Sequence, residues 1–238
     1  MSLPGRVVVP EDSRAYPGRH QVQDALLLEG AREIPVVVKR TRLGWRQRLG
    51  TPKGERSYRT ALELRARGLP TPEPLGFEVR DGDSWFVARR LEGARQLREW
   101  LLFRDGAGPA PALPIAFETV LGEVALLARA LHDGGVFFRD LSDGNVLLTR
   151  EEGPPGFRLW LVDLNRARVS SRPVGLWNRL RDLSRPGINR EDDHKALLSS
   201  YFAPAEPPGL ALATVRLMRR RRVLWDRLKR ALRPWKRR

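Results

Sequence analysis

An α+β fold is what this chain predicts, with strands gathered before residue 92 and helices after it. Three observations carry that expectation. Four β-favouring runs precede residue 92 and are bounded by turn residues. From Phe117 to Leu131 apolar residues recur at the spacing of a helix face. Beyond that helix, Asp140 and Asn145 precede one short apolar run, and Asp163 ends the next. The expected divisions are a β-rich part with one helix over 1–91, a mainly helical part over 92–209, and a basic amphipathic helix over 210–238.

Taken in order, Val7 to Pro17 is polar and Pro-bearing, a loose start. Gln21–Leu28 and Ile34–Lys39 flank Glu29-Gly30-Ala31-Arg32 and read as a β-hairpin. The basic, Gly- and Pro-interrupted stretch Arg40–Gly54 is a connection, and Glu55–Arg67 has helical composition, with Tyr58, Ala61, Leu62 and Leu64 as its apolar positions. Pro70, Pro72 and Pro74 stop that helix and extend the chain. Leu75–Val79 and Trp85–Leu91 are strands joined by the turn signal Asp81-Gly82-Asp83, and Glu92-Gly93 makes a hinge.

The second part opens with a helical pattern over Gln96–Phe103 and a Gly, Ala and Pro loop over Gly106–Pro114. Phe117, Val120, Leu121, Val124, Leu127, Ala128 and Leu131 then form a buried helix face, ended by Gly134-Gly135. His132 in the last turn reads as a capping or packing residue. After the central motif, Arg168–Arg190 is basic and broken by Pro173, Pro186 and Gly187. Glu191-Asp192-Asp193 opens a helix that runs to about Tyr201, with its acids at the positive end of the dipole. The last helix starts near Leu210.

The net charge of +16 is concentrated at one end: from Arg216 to Arg238 there are twelve Lys and Arg against Asp226 alone. The rest of the chain is an ordinary mixed-charge body. In the last helix Leu217, Leu224, Leu228, Ala231 and Trp235 share a face, widened by Trp225 and Leu232, with Arg and Lys elsewhere. That is the composition of a membrane-surface segment, so an anionic membrane surface is one partner to expect. Packing on the body is the other reading, and nucleic acid ranks below both because no recognition motif accompanies the charge. The chain has no Cys, which excludes disulfides and thiolate metal sites. No secretory leader and no apolar run of roughly 20 residues appears, so a cytoplasmic protein, peripheral on the inner membrane, is expected.

The central motif carries the chemistry. Phosphoryl transfer from ATP needs a carboxylate to orient the attacking hydroxyl, and an amide and a carboxylate to hold magnesium on the phosphates. Asp140, Asn145 and Asp163 supply those groups around two short strands, Val146–Leu148 and Leu159–Val162. The spacing matches the kinase catalytic loop H-R-D-L-x-x-x-N, with Phe138 in place of the His, and Asp163-Leu164-Asn165 stands where protein kinases have Asp-Phe-Gly. A plain β-hairpin with polar turn residues is the alternative. Lys39 ends a Val-Val-Val-Lys run resembling the kinase Val-Ala-Ile-Lys strand and could reach the α- and β-phosphates; a solvated strand-end lysine is its bland counterpart. Glu55 lies in the helix that should carry the glutamate pairing with Lys39, although Ser57 sits nearer the expected register and Glu63 is a further candidate.

These residues give the chain a family resemblance. Val36–Gly44 with the basic stretch after it, Gly68–Leu75, Phe138–Asn145 and Val162–Arg168 resemble the bacterial lipopolysaccharide kinases that phosphorylate Kdo or heptose of the inner core. The resemblance covers Ile34 to about Tyr201, and Val-Asp-Leu-Asn-Arg-Ala-Arg is its most specific part. It implies a bilobal protein-kinase-like fold, with a small β-rich lobe holding one helix and a mainly helical lobe. It also implies Asp140 as catalytic base, Asn145 and Asp163 as Mg2+ ligands, Lys39 as ATP phosphate anchor, Glu55 as its helix partner, and a lipid-linked glycan as acceptor. Phe138 departs from the motif, and no Gly-x-Gly-x-x-Gly precedes Lys39. Two further readings stand beside this one. One is a kinase-like membrane or partner adaptor with little catalysis. The other is a kinase of another small molecule such as an aminoglycoside, whose acceptor sites are typically acidic where this chain is basic.

Overall fold

The computed structural model describes residues 3, 5–16, 21–43 and 50–232. Much of the expected basic connection (44–49) and Trp235 of the last helix lie outside the described residues. The described chain is mixed α/β, with a curled antiparallel sheet and six α-helices, and it divides into two compact units. The first comprises residues 1–95 and 146–169; the second comprises 96–145 and 170–238.

In the first unit β1 (Arg6–Val8), β2 (Ala15–Tyr16), β3 (Gln21–Glu29), β4 (Arg32–Arg42), β5 (Pro74–Arg80) and β6 (Asp83–Arg89) form one sheet. Its order is β1-β3-β4-β6-β5, with β2 also on β3, and every pairing is antiparallel. The period of two sorts β4 by face. Val36 and Val38 join Ala25, Leu27 and Val87 in a buried cluster, while Lys39 takes the opposite face with its cross-strand neighbour Phe86. On that face lies α1 (Lys53–Ala66), packed on β5 and β6. The approach is close enough to require glycine. A Cβ on Gly54 would stand 2.3 Å from the Trp85 carbonyl oxygen, and the Gly54 N–H donates to Ser84 Oγ at 2.9 Å.

The strand β7 (Arg95–Gln96) closes this stretch, and residues 146–169 return to the first unit as a hairpin. Its strands are β9 (Val146–Arg150) and β10 (Phe157–Leu161); the two-residue β8 (Val136–Phe137) belongs to the second unit. Val146 pairs with Leu161. The extended Pro-rich segment after α1 fastens this hairpin: Leu161 N–H donates to the Pro70 carbonyl at 2.9 Å, and Thr71 Oγ1 donates to the Leu161 carbonyl at 2.9 Å. A 3-10 turn (Leu164–Arg166) and β11 (Arg168–Val169) follow, and both touch α1.

The second unit holds α2 (Leu97–Arg104), α3 (Phe117–Asp133), α4 (Leu176–Leu183), α5 (Glu191–Phe202) and α6 (Ala211–Ala231). The predicted face of α3 is buried except at Leu127, which is half-buried, and it packs on α5. Gly135 takes the left-handed turn after α3 at φ +76°, and a Cβ there would lie 2.3 Å from the Ser170 carbonyl oxygen. The acids opening α5 serve ion pairs: Asp193 with Arg104 at 3.0 Å, and Glu191 with Lys195 and Arg216. On α6 the apolar residues Leu217, Leu224, Trp225 and Leu228 are exposed, and no helix among the described residues is long and apolar enough to cross a membrane.

Candidate active site

In the first unit, strand and hairpin bring together two residues 124 positions apart. Lys39 Nζ lies 2.5 Å from Asp163 Oδ1. Two residues beyond β10, Asp163 has φ +60°, a left-handed conformation that a short polar side chain tolerates, and the turn it begins carries Asn165 back to the same oxygen. Asp163 Oδ2 has no protein partner among the described residues. Lys39, Lys53, Ser57, Phe86 and Asn165 line a narrow recess here. Burial holds the Lys53 ammonium below the usual lysine range, with Lys39, Arg166 and Arg56 adding to the effect and Asp163 opposing it. Lys39 and Lys53 thus share one carboxylate, with Arg166 and Arg56 close enough to act on Lys53, an arrangement receptive to a polyanion.

Glu55 is not the carboxylate on Lys39. It pairs with Arg59 at 2.6 Å, while Glu63 pairs with Arg67 at 2.6 Å. The reason is helical register. Lys53, Gly54 and Ser57 face the recess, and Glu55 is rotated about 200° from Ser57 at roughly 100° per residue. The recess side therefore offers a serine where a glutamate was expected.

In the second unit the loop Phe138–Asn145 is pinned from behind. Asp182 on α4, fully buried, accepts the backbone N–H groups of Phe138 at 2.8 Å and Arg139 at 3.1 Å through Oδ2. His132 meets the same oxygen at 3.4 Å and Tyr201 Oη at 2.8 Å, so it is a supporting core residue. Burial pushes the Tyr201 hydroxyl up to about 12, against the lowering influence of Arg179. Phe138 is itself buried, so an apolar side chain at this loop position is packed into the core. Asn145 Nδ2 donates to the Asp140 carbonyl at 2.9 Å, which leaves the amide oxygen of Asn145 as the free end. Arg185 Nη1 lies 4.0 Å from Asp140 Oδ1, and Arg222 of α6 donates to the Arg185 carbonyl at 3.0 Å.

The sequence model of the lipopolysaccharide kinase (Kdo/WaaP) family matches residues 37–201. The chain belongs to that family. Members of the lipopolysaccharide kinase family are kinases, so ATP use and phosphotransfer follow from membership. No curated protein matches the chain. Among solved structures it is similar to "WaaP in complex with acyl carrier protein", with a TM-score of 0.58 and 20% identity over 92% of this chain and 88% of that one. That likeness establishes a shared fold.

Against this family background the sequence reading missed Asp182 and Arg185, and did not single out Lys53 within its basic stretch. Lys53 sat in a stretch read as a connection. Asp182 and Arg185 sat in a basic, Pro-broken segment with no periodicity to mark them. A buried acid at the end of an otherwise basic helix has no local signature.

Proposed function

We propose that this chain transfers the γ-phosphoryl group of ATP to a sugar hydroxyl, of Kdo or heptose, in the lipopolysaccharide inner core. The observation that supports this reading is the Lys39–Asp163 pair, a phosphate anchor and a hard oxygen donor held together in a cation-lined recess. In this reading Asp140 orients the acceptor hydroxyl and takes its proton as the oxygen bonds to the γ-phosphorus and the β–γ bridge bond breaks, releasing ADP. Lys39 and Lys53 neutralise phosphate oxygens, and Arg185 stands 4.0 Å from Asp140 Oδ1. Asp163 and Asn145 suit Mg2+, because each presents an oxygen without a protein partner among the described residues. When bound, Mg2+ would offset phosphate charge. Glu55, engaged with Arg59, has no part in this assignment.

The two units are taken as the small and large lobes of a protein-kinase-like architecture, and residues 210–238 as a peripheral element at the cytoplasmic face of the inner membrane. An acyl carrier protein joins the lipid-linked glycan as a partner to test, because WaaP was solved with one.

The test is ATP consumption with Mg2+ and purified inner-core lipopolysaccharide, comparing wild type with Asp140→Ala and Asp163→Ala. Phosphate on the glycan only when both acids are intact supports the kinase. No transfer by any of the three would leave the adaptor reading.

A further inference from the structure

Away from these residues, the helical unit contains a cavity of about 340 Å3 between α5 and α6. Arg216, Arg219, Arg220 and Arg227 line it, with His194 and Leu224 among their neighbours and no carboxylate. On α6, positions 216, 220, 223 and 227 advance by four, three and four, which places them on one face. Arg216 is partly committed to Glu191, and Arg219 to the Pro186 carbonyl at 2.9 Å and to Asn189. Arg220 and Arg227 have no ion-pair partner among the described residues. Packed guanidinium groups without an acid repel one another, and a bound anion relieves that repulsion.

His194 supplies the second observation. It is 2% exposed, its Nδ1 lies 3.2 Å from the Arg190 carbonyl, and its Nε2 has no hydrogen-bond partner. A carbonyl only accepts, so the neutral ring carries its proton on Nδ1 and leaves a buried lone pair on Nε2. Burial, then Arg219 and Arg216 of α6, hold this imidazole below the usual range, while the Arg190 carbonyl and Asp193 of α5 act the other way. Asn189 and Arg220 complete the polar surroundings. Beside the cavity, Leu224 is 59% exposed on α6, and Leu217 and Leu228, also exposed, share its side of the helix.

We propose that this cavity binds the phosphate of an anionic lipid headgroup. A phosphate offers several acceptor oxygens and up to two negative charges to the guanidinium forks of Arg220 and Arg227, which have no ion-pair partner among the described residues. The exposed Leu224, with Leu217 and Leu228 on the same side of α6, gives the attached acyl region an apolar surface, in the manner of an interfacial helix. Entry of the anion also weakens the cationic opposition to protonation of His194 and so eases its uptake of a proton. The proposal stands apart from the kinase reading, since a chain without turnover would still bind.

The full chain has three histidines, so each imidazole can be followed by NMR through a pH titration. Inorganic phosphate, and vesicles of phosphatidylcholine with or without phosphatidic acid, are the probes. The variant is R220Q/R227Q, at two exposed positions outside the proposed catalytic residues. Phosphate is expected to raise the His194 midpoint. Vesicles containing phosphatidic acid should retain the wild type at 0.15 M salt and bind the variant roughly thirtyfold less, as for two basic groups at an anionic surface. Turnover on detergent-dispersed glycan should persist in R220Q/R227Q, whereas Asp140→Ala should keep the His194 response. An unmoved His194 with both probes, or an undiminished response in the variant, would overturn the site. A response to phosphate but not to vesicles would overturn the lipid source in favour of a soluble phosphate. A poly-glutamate peptide as effective as phosphate would overturn the phosphate class in favour of an acidic protein.

Discussion

In the sheet unit Lys39 and Lys53 share one carboxylate; in the helical unit four arginines line a cavity whose lining has none. In the first cluster Lys39 rests on Asp163 at 2.5 Å, while burial and then its cationic neighbours hold Lys53 low. The second is neutralised at its margins, where Glu191 meets Arg216 and where Asp143 and Asp105 act on Arg219. A charge that already has a partner can exchange it for substrate with little reorganisation, as a turnover site requires. A cluster without a partner holds an anion as a resident, as an anchoring site requires. The same residue types, placed against different acid content, suit different tasks.

The largest expected effect breaks the comparison by removing the acid from the first cluster. Asp163→Asn keeps the size of the side chain but takes the carboxylate away from Lys39 and from the surroundings of Lys53. Losing one partner of a buried charge pair costs about 2–5 kcal/mol, and the lower end applies here because the Asp163 side chain is 34% exposed. Glycan phosphorylation in the variant should therefore fall roughly thirtyfold or more, measured as transferred phosphate at saturating ATP. Turnover within threefold of wild type would show that Asp163 does not act in transfer.

Next in size is the support behind the loop. Asp182→Ala strands the backbone N–H groups of Phe138 and Arg139 in the core. Each unpaired buried donor costs about 1–3 kcal/mol, so the urea midpoint should drop clearly. Tyr201→Phe, which removes only the 2.8 Å contact to His132 and the 3.1 Å bond from Arg179, and His132→Phe, which removes the 3.4 Å contact to the same acid together with that 2.8 Å contact, should each cost less. Equal losses would mean that imidazole, not backbone, is what Asp182 chiefly serves.

A smaller effect sharpens the comparison from the cation side. Lys53→Gln removes the one recess lysine that burial and like charge already disfavour. If phosphate restores its partner, the variant should raise the KM for ATP roughly tenfold, the worth of one hydrogen bond to a charged group, with a lesser change in kcat. An unchanged KM would place Lys53 outside the phosphate contacts.

Legibility followed how local each signal was. Val36, Val38 and Lys39 sort by the period of two, and the α3 face by the helical period, so both could be read from spacing alone. Asp140, Asn145 and Asp163 could be proposed from the sequence because a short loop and the turn after a hairpin keep fixed separations. Which helix residue faces Lys39 could not be read, because it depends on where a helix begins. The helix was expected from Glu55 and starts at Lys53, and helix faces turn about 100° with each residue. Asp182 and His194 were hidden for another reason. Each reads as an ordinary polar helix residue until folding buries it among groups that are distant in sequence.

The smallest effect belongs to the second cluster and follows from His194. Its folded pKa lies below the value of about 6.5 expected for an unfolded chain. Below that pH the unfolded chain binds more protons at this site than the folded one. The contribution of His194 is therefore fully present above about pH 6.5 and is lost as pH falls through the lower, folded value. Urea midpoints from pH 7.5 to 5 should decline more steeply for wild type than for His194→Gln, whose side chain does not titrate. Phosphate should shrink that difference, because an anion among Arg216, Arg219 and Arg220 lets the folded imidazole charge at a higher pH. A difference that phosphate leaves unchanged would mean that burial alone depresses His194, and the arginines facing it would then lose their claim to a bound anion.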